Sequence, residues 1–247
     1  MLDGEVEHKQ VTSGEGMRQI GDEIWVHEDS MKMLGTKLGL RMTIVRLQDG
    51  QLWVHSPTAI STSLQQEINT LGSVRYLIAP NNHHSKWLQD WIDVYPDAEV
   101  YVSAGIPRKV PLSNYHILQR GMENVWQDDL EWQTMPSVPT LNETIFFHSR
   151  SSSLIVTDLV QNYPERTNKS GFAGAMSKFV FKPIGFKGRC IHPLLKMSFT
   201  IKDKAAFNRF IQSVEQWQFD KIIVAHGKII EDEAKSVFSS LMSRFSS

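Results

Sequence analysis

The sequence predicts an α/β protein in which two sheets pack face to face and helices cover both outer faces, a four-layer αββα sandwich. Short apolar runs alternate with amphipathic helical stretches along the chain. Strands, helix, strand, helix and strand come first, and strands, helix, strand and helix follow, so the chain divides into two similar halves. Two stacked sheets with outer helices would bury every one of these apolar faces.

The first half is predicted from turn and capping signals. Asp49 and Gly50 form a strong two-residue turn signal between two β-rich runs, which predicts a hairpin over 40–57. Ser63 followed by Gln66 resembles a capping box and predicts a helix over 61–72. The other elements of this half are strands at 23–28, 73–80 and 98–105 and a helix from His84 to Tyr95.

The second half follows the same pattern around a long irregular segment. A hairpin is predicted over 143–159, with its turn at 150–152, and Thr200 and Asp203 are predicted to cap a helix. A strand at 220–227 and a helix at 231–245 close the chain. Residues 161–199 lack periodicity and are rich in glycine, lysine and arginine. We therefore predict a loose arm at 1–19 and a single domain at 20–247, with 161–199 as a lid or loop insertion.

Composition excludes several classes of protein. The 247 residues carry a net charge of -1, so no overall positive field would attract nucleic acid or an anionic membrane. Cys190 is the single cysteine, which excludes an intrachain disulfide and a multi-cysteine zinc site. No apolar run approaches the ~20 residues that cross a bilayer. We expect a cytoplasmic protein without nucleic-acid or membrane partners, and the sequence leaves its oligomeric state open.

Four landmarks carry a resemblance to a known superfamily. They are "LWVHSP", "APNNHH", "LIVTDL" and "IIVAHG", in this order. From about Ile20 to the C-terminus the chain resembles metallo-β-lactamase-fold proteins, and within them a subfamily with a degenerate H-x-H-x-D-H motif. The resemblance implies the four-layer fold.

In active members of that superfamily a strand ends in T-H-x-H-x-D-H. The resemblance implies that these side chains, a later G-H-S/T histidine, a bridging aspartate and a final His-Gly hold one or two divalent metals, typically zinc or iron. Such metals activate a water molecule near neutral pH.

The first motif is largely lost in this chain, and two registers remain open. If Ala79 takes the threonine position, the ligand positions fall at Pro80, Asn82, His84 and Ser85. If Pro80 takes it, they fall at Asn81, His83, Ser85 and Lys86. Either register leaves one histidine, so the resemblance implies a reduced site.

Other family positions survive. Asp158 matches the bridging aspartate and His226 the final histidine, with Gly227 permitting a tight turn. His55 stands where active members usually carry an aspartate. A single zinc, iron or manganese ion is therefore expected, and a metal-free cleft is the alternative. The candidate ligands are His55, His83 or His84, Asp158 and His226.

His148 is a weaker candidate because of hairpin geometry. The predicted hairpin brings Asn142, rather than His148, beside Asp158, and the family pattern would place the missing ligand near Pro139. His148 is therefore predicted to be a histidine at a strand end.

Two interpretations of function remain open. One is a metal-dependent hydrolase acting on an ester, thioester, amide or phosphoester; the other is an inactive member that binds a ligand or partner. Seven cations of the predicted lid favour a small anionic substrate. They are Arg166, Lys169, Lys178, Lys182, Lys187, Arg189 and Lys196. His192 lies in the same segment and could close over a substrate.

Overall fold

The computed structural model describes residues 16–33, 36–163, 188–196 and 201–245. The strands are β1 (Met17–Gly21), β2 (Ile24–Met33), β3 (Thr36–Arg46), β4 (Leu52–His55), β5 (Val74–Ala79), β6 (Glu99–Val102), β7 (His116–Ile117), β8 (Leu130–Thr134), β9 (Thr144–His148), β10 (Ser153–Val156), β11 (Val160–Tyr163), β12 (Gly188–Ile191) and β13 (Lys221–Val224). The α-helices are α1 (Thr62–Leu71), α2 (Leu88–Val94), α3 (Lys204–Gln216) and α4 (Ala234–Met242). Short 3₁₀ helices lie at Ile106–Arg108, Pro193–Lys196 and Ser243–Phe245.

The strands form two large sheets and one small one. Strands β1 to β7 form a seven-stranded sheet in sequence order, and a four-stranded sheet has the order β13-β10-β9-β8. Strands β11 and β12 pair separately. Within the first sheet β4, β5 and β6 run parallel, and within the second β10 and β13 run parallel. The carboxyl ends of each parallel set therefore lie at one edge, where α/β proteins commonly bind ligands.

Three apolar cores separate the layers. Trp53 and Ile78 of the first sheet pack with Phe146, Ile155 and Ile223 of the second. The opposite face of the first sheet packs against α1 and α2, and that of the second against α3 and α4. The predicted four-layer αββα sandwich is confirmed.

Local differences from the sequence prediction concern caps and strands. Ser61, rather than Ser63, caps α1, because the Ser61 Oγ accepts a hydrogen bond from the Leu64 amide at 3.2 Å. The capping box predicted at Ser63 is therefore wrong. Strands β1, β7, β8, β11 and β12 were not predicted, since each has five residues or fewer. Of these, β8 does alternate between more and less buried residues, so its pattern was overlooked.

The predicted division into arm, domain and lid stays a prediction. Residues 1–15 of the arm, and residues 164–187 and 197–199 of the lid, lie outside the described residues. The described part of the lid contains β12 and the 3₁₀ helix at Pro193–Lys196. Within the described ranges, no helix combines the length and apolar character required to cross a membrane.

Candidate metal centre

Three side chains far apart in sequence meet where parallel strands end. His84 follows β5, Asp158 follows β10 and His226 follows β13. The Nε2 atoms of His84 and His226 lie 3.5 and 3.4 Å from the two carboxylate oxygens of Asp158. One ligand atom from each residue lies within 4.8 Å of the others. The fold thus assembles two imidazoles and one carboxylate in a single cluster.

Asp158 is held in one orientation by two side-chain amides. The Asn81 Nδ2 donates to Asp158 Oδ2 at 2.8 Å, and the Gln161 Nε2 donates to Asp158 Oδ1 at 2.9 Å. Burial opposes ionisation of this carboxyl, but its contacts with His226 and His84 outweigh burial and hold the pKa of Asp158 well below its usual range. The carboxylate is therefore charged and presents both oxygens to the cluster.

His226 is held in place by a backbone carbonyl of β3. Its Nδ1 donates to the Gly39 oxygen at 2.8 Å, so the Nε2 atom faces Asp158. Burial lowers the pKa of His226, yet the contact with Asp158 and the bond to Gly39 raise it above its ordinary value. A backbone partner on one imidazole nitrogen is a usual way to orient the other as a ligand.

His84 is oriented by a hydroxyl. Its Nδ1 lies 2.6 Å from the Ser56 Oγ, which directs Nε2 towards Asp158. Burial lowers the pKa of His84, and the neighbouring charge of His226 adds to this effect. The pKa of His226 is raised and that of His84 is lowered although both contact the same carboxylate. The Gly39 carbonyl is one of the contacts that favour the charged form of His226, and the charge of His226 disfavours that of His84.

Asn81 builds the turn that presents His84. Its Oδ1 accepts hydrogen bonds from the backbone amides of His83 and His84, at 2.7 and 3.1 Å, as in an Asx turn. Neither register considered from the sequence places both Asn81 and His84 at motif positions. A register with Ile78 in the threonine position places both residues at motif positions. Of the four ligand positions in that register, only His84 carries the residue type that the motif has there.

Glu143 fixes the loop that carries Asp158. This fully buried carboxylate accepts hydrogen bonds from the backbone amides of Thr157, Asp158 and Leu159. Burial, together with the charge of Asp158, raises the pKa of Glu143 to about 7. The prediction that Asn142 would lie beside Asp158 is wrong by one residue.

The register of the hairpin explains that error. His148 pairs with Ser153 across the turn, and the same register continued along the two strands places Glu143 opposite Asp158. A shift of one residue exchanges the two faces of a strand.

Two predicted ligands lie outside the cluster. The fully buried ring of His55 stacks on Trp53, with centroids 5.3 Å apart, and lies edge-on to Phe146. Side chains two apart on a strand share a face, so His55 points with Trp53 towards the core between the sheets. His83 is exposed, and its Nε2 lies 3.2 Å from the Thr140 carbonyl. Of these two neighbouring histidines, His84 contacts Asp158, whereas His83 contacts the Thr140 carbonyl.

Other histidines considered from the sequence occupy different places. His148 pairs with Ser153, at the start of β10, whereas Asp158 follows the end of that strand. It is a strand-end histidine at the opposite edge of the sheet. His192 lines the same cavity as His84, Asp158 and His226, and burial lowers its pKa.

A cavity of about 450 Å³ opens onto the cluster. Besides the three cluster residues, its polar lining includes Ser56, His83, Lys86, Gln161 and His192. Apolar walls are contributed by Leu38, Leu40, Pro57 and Trp87. A volume of this size, with polar side chains converging between apolar walls, is typical of small-molecule sites.

Three polar residues of this site were missed in the sequence. Ser56, Glu143 and Gln161 all contact the ligand cluster or its loops. Asn81 was considered only as a motif position without its histidine, and its contact with Asp158 was not predicted. Ser56 follows His55 at the end of β4 and Gln161 lies three residues after Asp158, but neither position carries a recognisable spacing. Their roles depend on contacts between distant segments.

Solved structures share this fold at low sequence identity. The flavodiiron core from Synechocystis sp. PCC6803 aligns with a TM-score of 0.59 and 12% identity, covering 93% of this chain and 60% of that one. A flavoprotein from Thermotoga maritima aligns with a TM-score of 0.63 and 11% identity, covering 93% of this chain and 60% of that one. The metallo-β-lactamase from Pontibacter korlensis aligns with a TM-score of 0.58 and 13% identity, covering 92% of this chain and 98% of that one.

These similarities establish the metallo-β-lactamase fold, as the sequence resemblance predicted. The chain spans about 60% of the length of the flavodiiron core and nearly all of the β-lactamase. At such identities the likeness extends to the fold alone.

Sequence comparison assigns a family. No curated protein matches the chain. The family model described as "Domain of unknown function (DUF4336)" matches residues 21–171, which is more than half of the chain, and the chain therefore belongs to that family.

Proposed function

We propose that this protein is a metal-dependent hydrolase that holds one divalent ion between His84, Asp158 and His226. The observation that carries the proposal is the approach of their three ligand atoms to within 4.8 Å of one another. Two imidazoles and a carboxylate are a suitable donor set for zinc, iron or manganese. The proposal therefore narrows the five candidates from the sequence to three and leaves out His55 and His83.

The orientation of each donor supports the fit. His226 uses Nδ1 to bind the Gly39 carbonyl, and His84 uses Nδ1 to bind Ser56, so both present Nε2 to the cluster. Asp158 is buried and charged, and such a carboxylate is stabilised when a cation lies beside it. Metal-binding histidines usually have such a contact on the ring nitrogen that does not bind the ion, as the Nδ1 atoms of His226 and His84 do here.

The chemistry follows from the site and its cavity. A divalent ion bound there supplies a Lewis acid and lowers the pKa of a water molecule. Asn81 and Gln161 keep the Asp158 carboxylate in position, and the apolar walls around Leu40 and Trp87 exclude bulk water from a bound substrate. We propose an ester, thioester, amide or phosphoester as the bond that is cleaved.

Charge at the cavity favours an anionic small molecule. Lys86 lines the cavity, and its Nζ lies 4.6 Å from the centre of the Trp87 ring. Arg189 is exposed on β12, and five further cations of the predicted lid lie outside the described residues. Attraction by several cations depends on ionic strength, so a steep salt dependence of substrate binding is expected. The net charge of -1 gives no support for nucleic acid as a partner.

The alternative is a metal-free module that binds a ligand or partner in the same cavity. The observation that favours it is the pairing of Asp158 with both histidines, because His84 and His226 can satisfy this carboxylate without an ion. In addition, Ala79 and Asn81 occupy two positions where the superfamily motif carries histidines.

Metal analysis separates the two functions. Protein purified without a histidine tag and reconstituted with zinc, iron or manganese should hold one ion per chain, and the Asp158→Ala/His226→Ala double variant should hold none. His83→Ala is the matched control, since this neighbouring histidine lies outside the cluster and its removal should leave the metal content unchanged. Equal metal content in the wild type and the double variant would refute the hydrolase proposal.

Activity is measured next on the same preparations. The loaded wild type should hydrolyse at least one class in a panel of anionic aryl esters, thioesters and phosphoesters, and the double variant should not. If the wild-type protein binds metal but cleaves no substrate of the panel, metal binding stands and the proposed hydrolase activity is contradicted.

A further inference from the structure

We infer that Gln161 supplies a fourth donor to the ion, through its side-chain oxygen, an inference that rests on the proposed function. Gln161 lies on β11 with its side chain 1% exposed, and it lines the same cavity as His84, Asp158 and His226. Its Oε1 atom is buried and has no hydrogen-bond partner among the described residues. The nitrogen of the same side-chain amide donates a hydrogen bond to Asp158, one of the three proposed ligands.

The contact with Asp158 fixes which end of the amide is free. A carboxylate accepts hydrogen bonds and an amide oxygen cannot donate one, so the Gln161 nitrogen must face Asp158 Oδ1, at 2.9 Å. The opposite orientation would place two acceptors against each other. Hence the unpaired atom is an oxygen, which can donate a lone pair to a cation.

A buried acceptor with no partner among the described residues favours a ligand from outside that part of the chain. Leaving a buried carbonyl oxygen without a donor destabilises the folded protein. Amide oxygens serve as neutral, hard ligands for divalent ions, and carboxylate neighbours add the charge. An ion at the cluster would satisfy Gln161 Oε1 and Asp158 together.

The backbone holds Gln161 beside the other ligands. Gln161 pairs with Cys190 across β11 and β12, and the next amide, that of Asn162, donates to the His226 carbonyl at 3.1 Å. Gln161 is thus tied to the same segment as His226 and lies three residues from Asp158. The resulting set contains two imidazole nitrogens, one carboxylate oxygen and one amide oxygen.

A pair of substitutions separates ligation from simple support of Asp158. Gln161→Glu keeps an oxygen donor but removes the N–H that binds Asp158. Gln161→Met keeps the length of the side chain and removes both groups. Gln133→Met on β8 is the matched control, because Gln133 is exposed and outside the cavity.

The measurements are Zn²⁺ affinity by competition with a chelator and the visible spectrum of the Co²⁺-loaded protein. Gln161→Met should lose at least ~10-fold in Zn²⁺ affinity and change the Co²⁺ spectrum, whereas Gln161→Glu should bind Zn²⁺ at least as tightly as the wild type. A melting curve of each ion-free variant establishes that it is folded.

The outcomes distinguish the two proposals. Equal losses in Gln161→Glu and Gln161→Met would show that the residue acts only by supporting Asp158, and unchanged affinity in both would show no role; each result overturns the inference about Gln161. A wild type that binds neither Zn²⁺ nor Co²⁺ would instead overturn the proposed function, and with it this inference.

Discussion

The carboxylate of Glu143 accepts a hydrogen bond from the backbone amide of Asp158 at 3.0 Å. Two more amides, of Thr157 and Leu159, donate to the same carboxylate at 2.7 and 2.8 Å. One buried side chain therefore holds three successive residues of the loop and presents the Asp158 side chain to His84 and His226. Glu143 positions a ligand without contacting the candidate ion site itself.

Replacing Glu143 by glutamine tests this role. The new NH₂ group would face a backbone N–H that has lost its acceptor, so we expect the free energy of unfolding to fall by about 2–4 kcal/mol, measured by chemical denaturation. The Zn²⁺ affinity should fall as well, because Asp158 loses its fixed position. Glu123→Gln, on the exposed surface, is the control and should change neither quantity. A fully stable Glu143→Gln variant would contradict the account of the loop.

Ser56 should influence metal affinity and folding separately. Its backbone has a φ of 54°, which disfavours any residue other than glycine, while its hydroxyl orients His84. Ser56→Ala and Ser56→Gly should each weaken Zn²⁺ binding by about 10- to 100-fold in a chelator competition. In denaturation, Ser56→Gly should be more stable than Ser56→Ala by about 1 kcal/mol. If both variants bound Zn²⁺ like the wild type, the hydroxyl would have no part in orienting His84.

Gly227 should tolerate no side chain. It has a φ of +96°, and a Cβ there would lie 1.9 Å from the Asn162 carbonyl oxygen, so Gly227→Ala must displace the turn that carries His226. We expect a loss of stability of about 3 kcal/mol or more. Gly50→Ala is the matched control, since Gly50 has a φ of +82° and open space around it, and should cost only about 1 kcal/mol. Similar melting temperatures for the two variants would contradict this difference.

His148 should make the fold sensitive to acid. Burial, with help from Arg150, lowers its pKa from 6.5 to about 4 in the folded protein. Between these values the unfolded chain binds the proton and the folded chain does not, so stability is full above pH ~6.5 and falls as the pH drops towards ~4. The contribution is on the order of 3 kcal/mol. Denaturation from pH 7 to 4 should give a shallower loss in His148→Gln than in the wild type, and identical slopes would refute this assignment.

The layered fold could be predicted because its signals are local. The Asp49-Gly50 turn, the apolar faces of α1 and α3 and the runs that became β5, β10 and β13 each follow from neighbouring residues. A short strand such as β12 could not be predicted, because pairing with β11 defines it and its own pattern does not.

The candidate site was predictable in part for the same reason. Asp158 and His226 end strands that the pattern identifies, and parallel strands bring such ends together. By contrast, the sheet face on which His55 lies depends on the pleat that it shares with Trp53. The residue that lies beside Asp158 can be predicted only if the hairpin register is known to within one residue. Gln161 and Ser56 enter the site through contacts between segments, which a sequence pattern does not encode.

The most direct test of the metal centre is a crystal of the Zn²⁺-loaded protein measured at the zinc absorption edge. The account predicts one anomalous peak at bonding distance, ~2.0–2.2 Å, from His84 Nε2, His226 Nε2 and a carboxylate oxygen of Asp158. A peak bound elsewhere, or none at this cluster in protein loaded with Zn²⁺, would contradict it.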